Sequence, residues 1–363
     1  MDVQEEKKLE KKLNYKRLLI PFLIGLGTSA YFMYQAYHPE LIDKLLNAKL
    51  HWILIGALFI IIRDLGYMYR IKIISKDKLS WYKSFEIIML WEFGTAMMPA
   101  FIGGTGLAVV FLYREGFSAG KSSAFVLLTA VIDQFFYVWA VPTVVLLAGY
   151  SHVFPTMAEV FEHYGGRSPF PFPLSTLLLL SYLINIFYCV SLSYTMFINP
   201  YLIPRWIDRI FRTRMLKRFH EPVMREINNF TLAFYELKGY NPTFWIKLVG
   251  VTMIVWIGRF FLVNCLIEAI GIVLVPEGSV TTHAQIYGRL LVMWVIMHLS
   301  PTPGGAGVAE AIFPTFLGKY IINGMSATIA LLWRLISYYP YLIIGSLILP
   351  RWIQKTRKRV PIE

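Results

Sequence analysis

The chain has 363 residues, 56% of them hydrophobic and 16% charged, with a formal net charge of +13. A soluble domain carries roughly a quarter charged residues, and here the apolar excess is gathered into long runs, so a soluble globular protein is excluded. The two cysteines, Cys189 and Cys265, lie in apolar segments and offer neither a disulfide framework nor a metal-ligand spacing.

The basic N-terminus, "EEKKLEKKLNYKR", precedes the apolar run Leu18–Tyr37. That run is too long for the core of a signal peptide and lacks an A-x-A site. It is therefore expected to remain as a first span, with the N-terminus on the cytoplasmic side. Residues 38–50 carry only Lys44 and Lys49 and read as outside. A second span, 51–69, returns to an inner loop holding Arg70, Lys72, Lys76, Lys78 and Lys83. Segment 84–122 contains "MMPAFIGGTGLAVVF" and ends near Arg114 and Lys121, a second basic flank. It starts and ends inside, so it is predicted to be a hairpin.

Ala124–Leu147 then crosses outward to a loop, "GYSHVFPTMAEVFEHYGGRSPFPFP", with a single arginine. Leu174–Ile198 returns to "RWIDRIFRTRMLKRFHEPVMRE", where apolar residues interleave with basic ones. This segment fits either a helix on the inner membrane surface or a solvated connecting loop. Phe244–Val273 crosses outward to "LVPEGSVTTH", which has no Lys or Arg. Segment 284–325, with "HLSPTPGGAGVAEAIF", starts and ends outside and is the second predicted hairpin. The last span, 326–349, leads to "RWIQKTRKR" inside.

These elements predict an all-α polytopic membrane protein with about six full spans and two Gly/Pro-broken hairpins entering from opposite faces, an inverted repeat of the kind found in transporters. The chain reads as one membrane domain over 1–363. Residues 51–147 form the first half-repeat, 174–243 the connecting span and basic cytoplasmic segment, and 244–349 the second half-repeat. Gly103-Gly104-Thr105-Gly106-Leu107-Ala108 matches Gly304-Gly305-Ala306-Gly307-Val308-Ala309 at constant spacing.

Irregular backbone at membrane depth is tolerated only when buried in protein or lining a wet cavity. Proline removes a donor, and glycine lets the chain turn or approach a neighbour closely. The helix restarting after Gly305 presents free N–H groups and its positive dipole end, a setting suited to phosphate. The plainer function of Gly-Gly is close helix packing. Glu310, in the first turns of that helix, is placed to cap it, to balance its dipole, or to pair with a cation. A dinucleotide site is excluded: Glu310 occupies the third position of the incomplete G-x-G-x-x-G, no strand precedes it and no P-loop lysine follows.

Other charges fall inside apolar segments: Arg63, Asp64, Glu92, Asp133, Arg259, Glu268, Arg289 and Arg334. A lone charge at the bilayer centre costs roughly 3 kcal/mol, so internal pairs are expected. Adjacent Arg63 and Asp64 point to different helix faces and should each find a separate partner. Asp133 and Arg334 follow the second glycine of their motifs by the same number of residues, which suggests an ion pair between the halves. Arg114, Arg259 and Arg334 could instead snorkel to an interface, and His298 fits a structural hydrogen-bonding role. The positive charge fits cytoplasmic loops better than nucleic-acid binding. No HExxH, CxxC, activated serine or metal cluster is visible, so neither an enzyme nor a metal or cofactor is expected.

"PAFIGGTGLAVVFLYREGFSAGKSSAFVLLTAVID", 99–133, and "SPTPGGAGVAEA", 300–311, followed by "WRLISYYPYLIIG", 333–345, resemble the two signatures of the lysylphosphatidylglycerol synthase transmembrane region, the flippase-like domain family. Larger relatives join this domain to a cytoplasmic aminoacyltransferase, for which no stretch is left over here, and their membrane part is held to move the product between leaflets. The resemblance places Pro99, Gly103, Gly104, Asp133, Pro303, Gly304, Gly305, Gly307, Glu310 and Arg334 at family-typical positions. Thr105 stands where many relatives are acidic, and Thr129-Ala130 where many have a Glu-Arg pair.

The expected function is binding and translocation of a lipid with an anionic or zwitterionic headgroup. Its phosphate would sit at the two breaks near Arg114, Arg259 or Arg334. Alternatives are a transporter of a small anionic solute, and a non-catalytic membrane component associated with lipid aminoacylation. The expected location is the plasma (inner) membrane, multi-pass, with both termini cytoplasmic. The expected partners are membrane lipid and, among proteins, a second copy of the chain or a separate lipid-modifying enzyme.

Overall fold

A computed structural model describes residues 46–98, 104–156, 159, 174–199, 201–212, 220–270, 279–298, 300–321 and 325–356, with isolated positions at 23, 27, 30, 31, 34 and 43. The expected first span, Leu18–Tyr37, lies almost wholly outside the described residues, as do Pro99 and Gly103.

The described residues are helical, with no strand among them. In chain order the described helices of ten residues or more are α1 (Leu50–Ile74), α2 (Trp81–Met97), α3 (Thr105–Arg114), α4 (Ala119–Ala148), α5 (Leu174–Ser193, extended by a π turn over Tyr194–Ile198), α6 (Leu202–Phe211), α7 (His220–Lys238), α8 (Pro242–Ile270), α9 (Val280–His298), α10 (Val308–Leu317), α11 (Ser326–Ser337) and α12 (Tyr339–Thr356). Among the described residues, five stretches are long and apolar enough to cross a bilayer: α1, α4, α8, Leu179–Ile198 and Ser326–Thr356. The protein is thus a polytopic membrane protein.

Its polarity is that of a membrane protein as well. Leu54, Leu58, Ile61 and Leu65 on α1, Leu183, Ile184 and Phe187 on α5, and Ile343 and Leu347 on α12 are exposed, whereas Arg63, Arg70, Arg289, Glu310 and Arg334 are buried. So large an exposed apolar surface is foreign to a soluble monomer.

The last span differs from expectation. Rather than one helix over 326–349, it is interrupted at Tyr338, where φ is −132° and ψ −58°. Pro340, in the first turn of α12, has no N–H to give the Ile336 carbonyl and its ring crowds that turn, so one continuous helix cannot run through this point. The segment after α5 holds two helices, α6 and α7, rather than an irregular loop. On α6, Leu202, Trp206 and Ile210 form an exposed apolar stripe one turn apart.

The order of helix lengths in α1–α4 recurs in α8–α11: a long helix, a shorter one, a glycine-rich break, a ten-residue helix, then a further helix. Local signals explain the starts. Ser80 and Ser118 cap α2 and α4, accepting from the backbone of Lys83 at 3.3 Å and Lys121 at 3.2 Å. Within α4, Pro142 cannot donate to the carbonyl of Val138. The Tyr182 hydroxyl of α5 fills that gap, donating to the Val138 oxygen at 2.8 Å. Unsatisfied carbonyls are costly in hydrocarbon, so this bond fixes α5 against α4.

The most extensive helix pair is α1 with α8. Small residues allow it: a Cβ on Gly258 would stand 2.9 Å from the Phe59 carbonyl oxygen, and one on Gly56 would meet Leu262 at 2.8 Å. Gly258→Val is therefore expected to destabilise the protein by about 1–3 kcal/mol through overpacking. Gly250→Ala, whose Cβ meets nothing within 4 Å, should cost nothing. Thermal unfolding in detergent measures both.

Candidate functional site

Helix α1 carries Arg63, Tyr67 and Arg70 at i, i+4 and i+7, so all three project from one face. The helix runs on to Ile74, which moves Arg70 out of the basic loop to which the charge pattern assigned it. It is buried and forms a two-pronged ion pair with Asp133 of α4, Nη2 to Oδ2 at 3.2 Å. The Trp256 indole N–H donates to the same carboxylate at 2.8 Å. The pair expected between Asp133 and Arg334 is therefore not formed: Arg70 holds Asp133, and Arg334 faces Glu310. A double-mutant cycle of Asp133→Asn with Arg70→Gln should show coupling of about 0.5–3 kcal/mol in unfolding free energy. Asp133→Asn with Arg334→Gln should be additive.

Arg63 and Asp64 do not take separate partners alone, as their adjacency suggested. The Arg63 side chain folds back to donate to Asp64 Oδ1 from Nε at 3.0 Å and from Nη2 at 2.8 Å. Each also has a second contact. Tyr341 donates to Asp64 Oδ2 at 2.8 Å, and Arg63 lies 3.6 Å from Glu92. Glu92 accepts two bonds from Arg259 Nη2, at 3.0 and 3.2 Å. The Arg259 guanidinium also lies against the rings of Trp256 and Trp294, 5.1 and 4.8 Å from their centroids, a favourable cation–π setting.

At the second break, Gly304, Gly305 and Gly307 have φ of +54°, +68° and +83°. Only glycine adopts this region freely, which explains the motif. Pro303 opens the turn by accepting from Ala306 N–H at 2.9 Å. Glu310 plays two of its anticipated parts at once. Its Oε2 accepts from Gly307 N–H at 2.7 Å, and its Oε1 accepts from Arg334 Nε at 2.9 Å. Glu310 thus caps the start of α10 and ties it to α11.

The two breaks meet. Gly304 N–H donates to the carbonyl of Met98, at the end of α2, at 3.0 Å. Arg334 Nη2 donates to the Gly304 carbonyl at 3.1 Å, and its guanidinium stacks 3.9 Å from the Tyr338 ring centroid. On the first-break side, Gly104 N–H donates to Thr95 Oγ1 at 3.1 Å. The close approach demands glycine, since a Cβ at Gly104 would stand 2.7 Å from the Trp91 carbonyl.

Two cavities flank this contact. The larger, of about 400 Å³, is lined by Arg70, Glu92, Thr105, Asp133, Tyr188 and Arg259 among others. The smaller, of about 60 Å³, is lined by Arg63, Gly304, Arg334 and Tyr341. Glu92, Thr95, Arg259 and Trp294 line both and form the partition. The larger is the size of a small-ligand site, whereas the smaller has room for a water or two. Thr105 and Tyr188, at the wall of the larger cavity, are exposed. Two groups on that wall lack partners: Arg259 Nε, a donor, and Gln134 Oε1, an acceptor.

Asp133, Arg259 and Gly104 therefore come together at the larger cavity, and Gly304 and Arg334 at the smaller. Arg114, in the last turn of α3, lines neither. No motif or spacing pointed to Tyr341, Trp256, Trp294 or Gln134. Arg70 could have been found by its i+7 spacing from Arg63.

The family described as the lysylphosphatidylglycerol synthase TM region matches residues 18–345. The chain is also similar to a UPF0104 membrane protein of Archaeoglobus fulgidus, at 21% identity over 341 residues, covering 91% of this chain and 95% of that protein.

Proposed function

The chain belongs to the lysylphosphatidylglycerol synthase TM region family, and from that premise we propose that it carries a phospholipid headgroup between leaflets without making or breaking a covalent bond. The observation that carries this reading is the wall of the larger cavity. There a buried guanidinium N–H without an acceptor and an amide oxygen without a donor stand beside two ion pairs. The guanidinium and carboxylate groups of Arg70, Asp133, Glu92 and Arg259 line the cavity, and such a wall suits a guest that both accepts and donates hydrogen bonds. A phosphate joined to an ammonium or hydroxyl group has both.

The network is electrically balanced. Arg63, Arg70, Arg259 and Arg334 stand against Asp64, Glu92, Asp133 and Glu310. A zwitterionic guest can exchange partners with it without leaving a net charge in the membrane. The exposed Thr105 and Tyr188 support lateral access, which lets acyl chains stay in lipid while the headgroup enters. The unequal cavities support a cycle in which Glu92 and Arg259 separate, the headgroup passes, and the smaller space opens as the larger closes. In this reading the half-repeats are inverted, the termini are cytoplasmic and the protein lies in the plasma membrane.

The test is reconstitution of purified protein into liposomes with a panel of headgroup-labelled lipids, following leaflet exchange with and without a proton gradient. Accelerated exchange of a phosphate-bearing lipid is expected. Exchange at the protein-free rate for every lipid, with uptake of a small anion instead, would replace this reading with solute transport.

A further inference from the structure

A third cavity, apolar and of about 340 Å³, lies between α4, α5 and α9, lined by Val141, Phe154, Leu179, Tyr182, Val292 and Val295 among others. Among the described residues, no charged one lines it. Leu179 is 59% exposed, so the groove opens on the surface that faces hydrocarbon. We infer that this groove seats one acyl chain of the same lipid whose headgroup occupies the polar cavity, and so helps to select a lipid over a free headgroup. The inference rests on the lipid reading above.

Continuity between the two spaces carries it. Each of the three helices passes directly from one to the other. On α4, Tyr137 lines the polar cavity and Val141, one turn on, lines the groove. On α9, Trp294 lines the cavity and its neighbour Val295 the groove. On α5, Tyr188 lines the cavity and Tyr182 the groove, about 9 Å away along the helix axis. At the junction the Tyr182 hydroxyl is already bonded to the Val138 carbonyl. This leaves its ring, not its polar tip, for the groove.

The polar-to-apolar order along α4 and α5 matches that of an amphiphile, and on α9 Trp294 and the flanking Val292 and Val295 set the two spaces side by side. A headgroup among Arg70, Glu92, Asp133 and Arg259 would leave its glycerol end near Tyr137 and Tyr188, and a chain would continue into the groove. A soluble solute of the same headgroup chemistry would leave the groove unused.

The experiment compares two photoreactive phospholipids of the same headgroup, one with a diazirine in mid-chain and one with it on the headgroup, in liposomes of the full chain. Cross-linked residues are mapped by mass spectrometry, and leaflet exchange is followed in parallel. The mid-chain probe should mark α4, α5 and α9 around Val141, Leu179 and Val295, and an excess of the unlabelled exchanged lipid should displace it. In Leu179→Trp, a change at an exposed position, that mark and the exchange of the two-chain lipid should fall by about tenfold. The headgroup probe should still mark the polar cavity. Val141→Trp, filling the groove from α4, should act alike.

Groove marking that is equal for exchanged and unexchanged lipids, or exchange undiminished in both folded variants, would mean ordinary surrounding lipid only and overturn the inference. If the headgroup probe never enters the polar cavity and wild-type protein exchanges nothing, the lipid reading itself falls, and this inference with it. Entry of the headgroup probe without groove marking overturns the acyl-chain seat alone.

Discussion

Arg334→Gln is expected to lower the stability of the folded protein by about 3–5 kcal/mol, the cost of leaving one member of a buried ion pair without its counter-charge. Arg334 and Glu310 are 4% and 2% exposed and 2.9 Å apart. Removing the arginine strands the Glu310 carboxylate, which among the described residues keeps the Gly307 N–H. It also deprives the Gly304 carbonyl of its donor and the Tyr338 ring of its cation. Because Gly304 N–H is bonded to Met98, the contact between the two breaks should loosen too.

Glu310→Gln should cost less. The amide oxygen can still cap Gly307, and Arg334 keeps the Gly304 carbonyl and the Tyr338 ring. The double variant should be more stable than the sum of the single losses implies, since it leaves neither charge stranded. Thermal and denaturant unfolding of the purified variants in one detergent gives all three values. An Arg334→Gln protein as stable as wild type would show that the pair does not hold the second break.

Arg259→Gln is expected to reduce lipid exchange by about 10–100-fold, the worth of one charge-assisted hydrogen bond, with a smaller effect on stability. The two effects separate because Glu92 keeps Arg63 at 3.6 Å when Arg259 is lost. Arg259→Lys distinguishes charge from geometry. Lysine keeps the positive charge but supplies neither the planar fork nor the Nε–H that lacks an acceptor. If the guest's phosphate is held by that N–H, the lysine variant should recover only part of the exchange. Liposome exchange and melting temperature are read on the same preparation. An Arg259→Gln protein that exchanges lipid at the wild-type rate would remove the partition from the transport path.

Glu310 and Arg70 mark the limits of what the linear chain discloses. Glu310 was legible as a cap because N3 of a helix beginning after a glycine turn is a local position. Its second bond, to Arg334, was hidden, because it requires α11 to return beside α10 with a particular rotation. Arg70 was assigned to a loop because charge density marks the end of hydrophobicity, whereas the helix continues past that point and buries the arginine. Pairing Asp133 with Arg334 failed for a related reason. Equal distance from the glycines fixes a place along each half, but not the azimuth of a side chain or the separation of the two helices.

The sequence alone determined the apolar spans, the two interruptions and the need for paired charges inside. Hydrocarbon accepts only apolar surface and satisfied backbone, so these features must be written as runs of Leu, Ile, Val and Phe and as breaks at Gly and Pro. Only the tertiary structure decided which carboxylate each arginine meets, where the cavities form and which break stands beside the open one. Those depend on helix rotation and close approach across the bundle, set by contacts such as Gly258 against Phe59 and Gly304 against Ala96, between residues far apart in the chain.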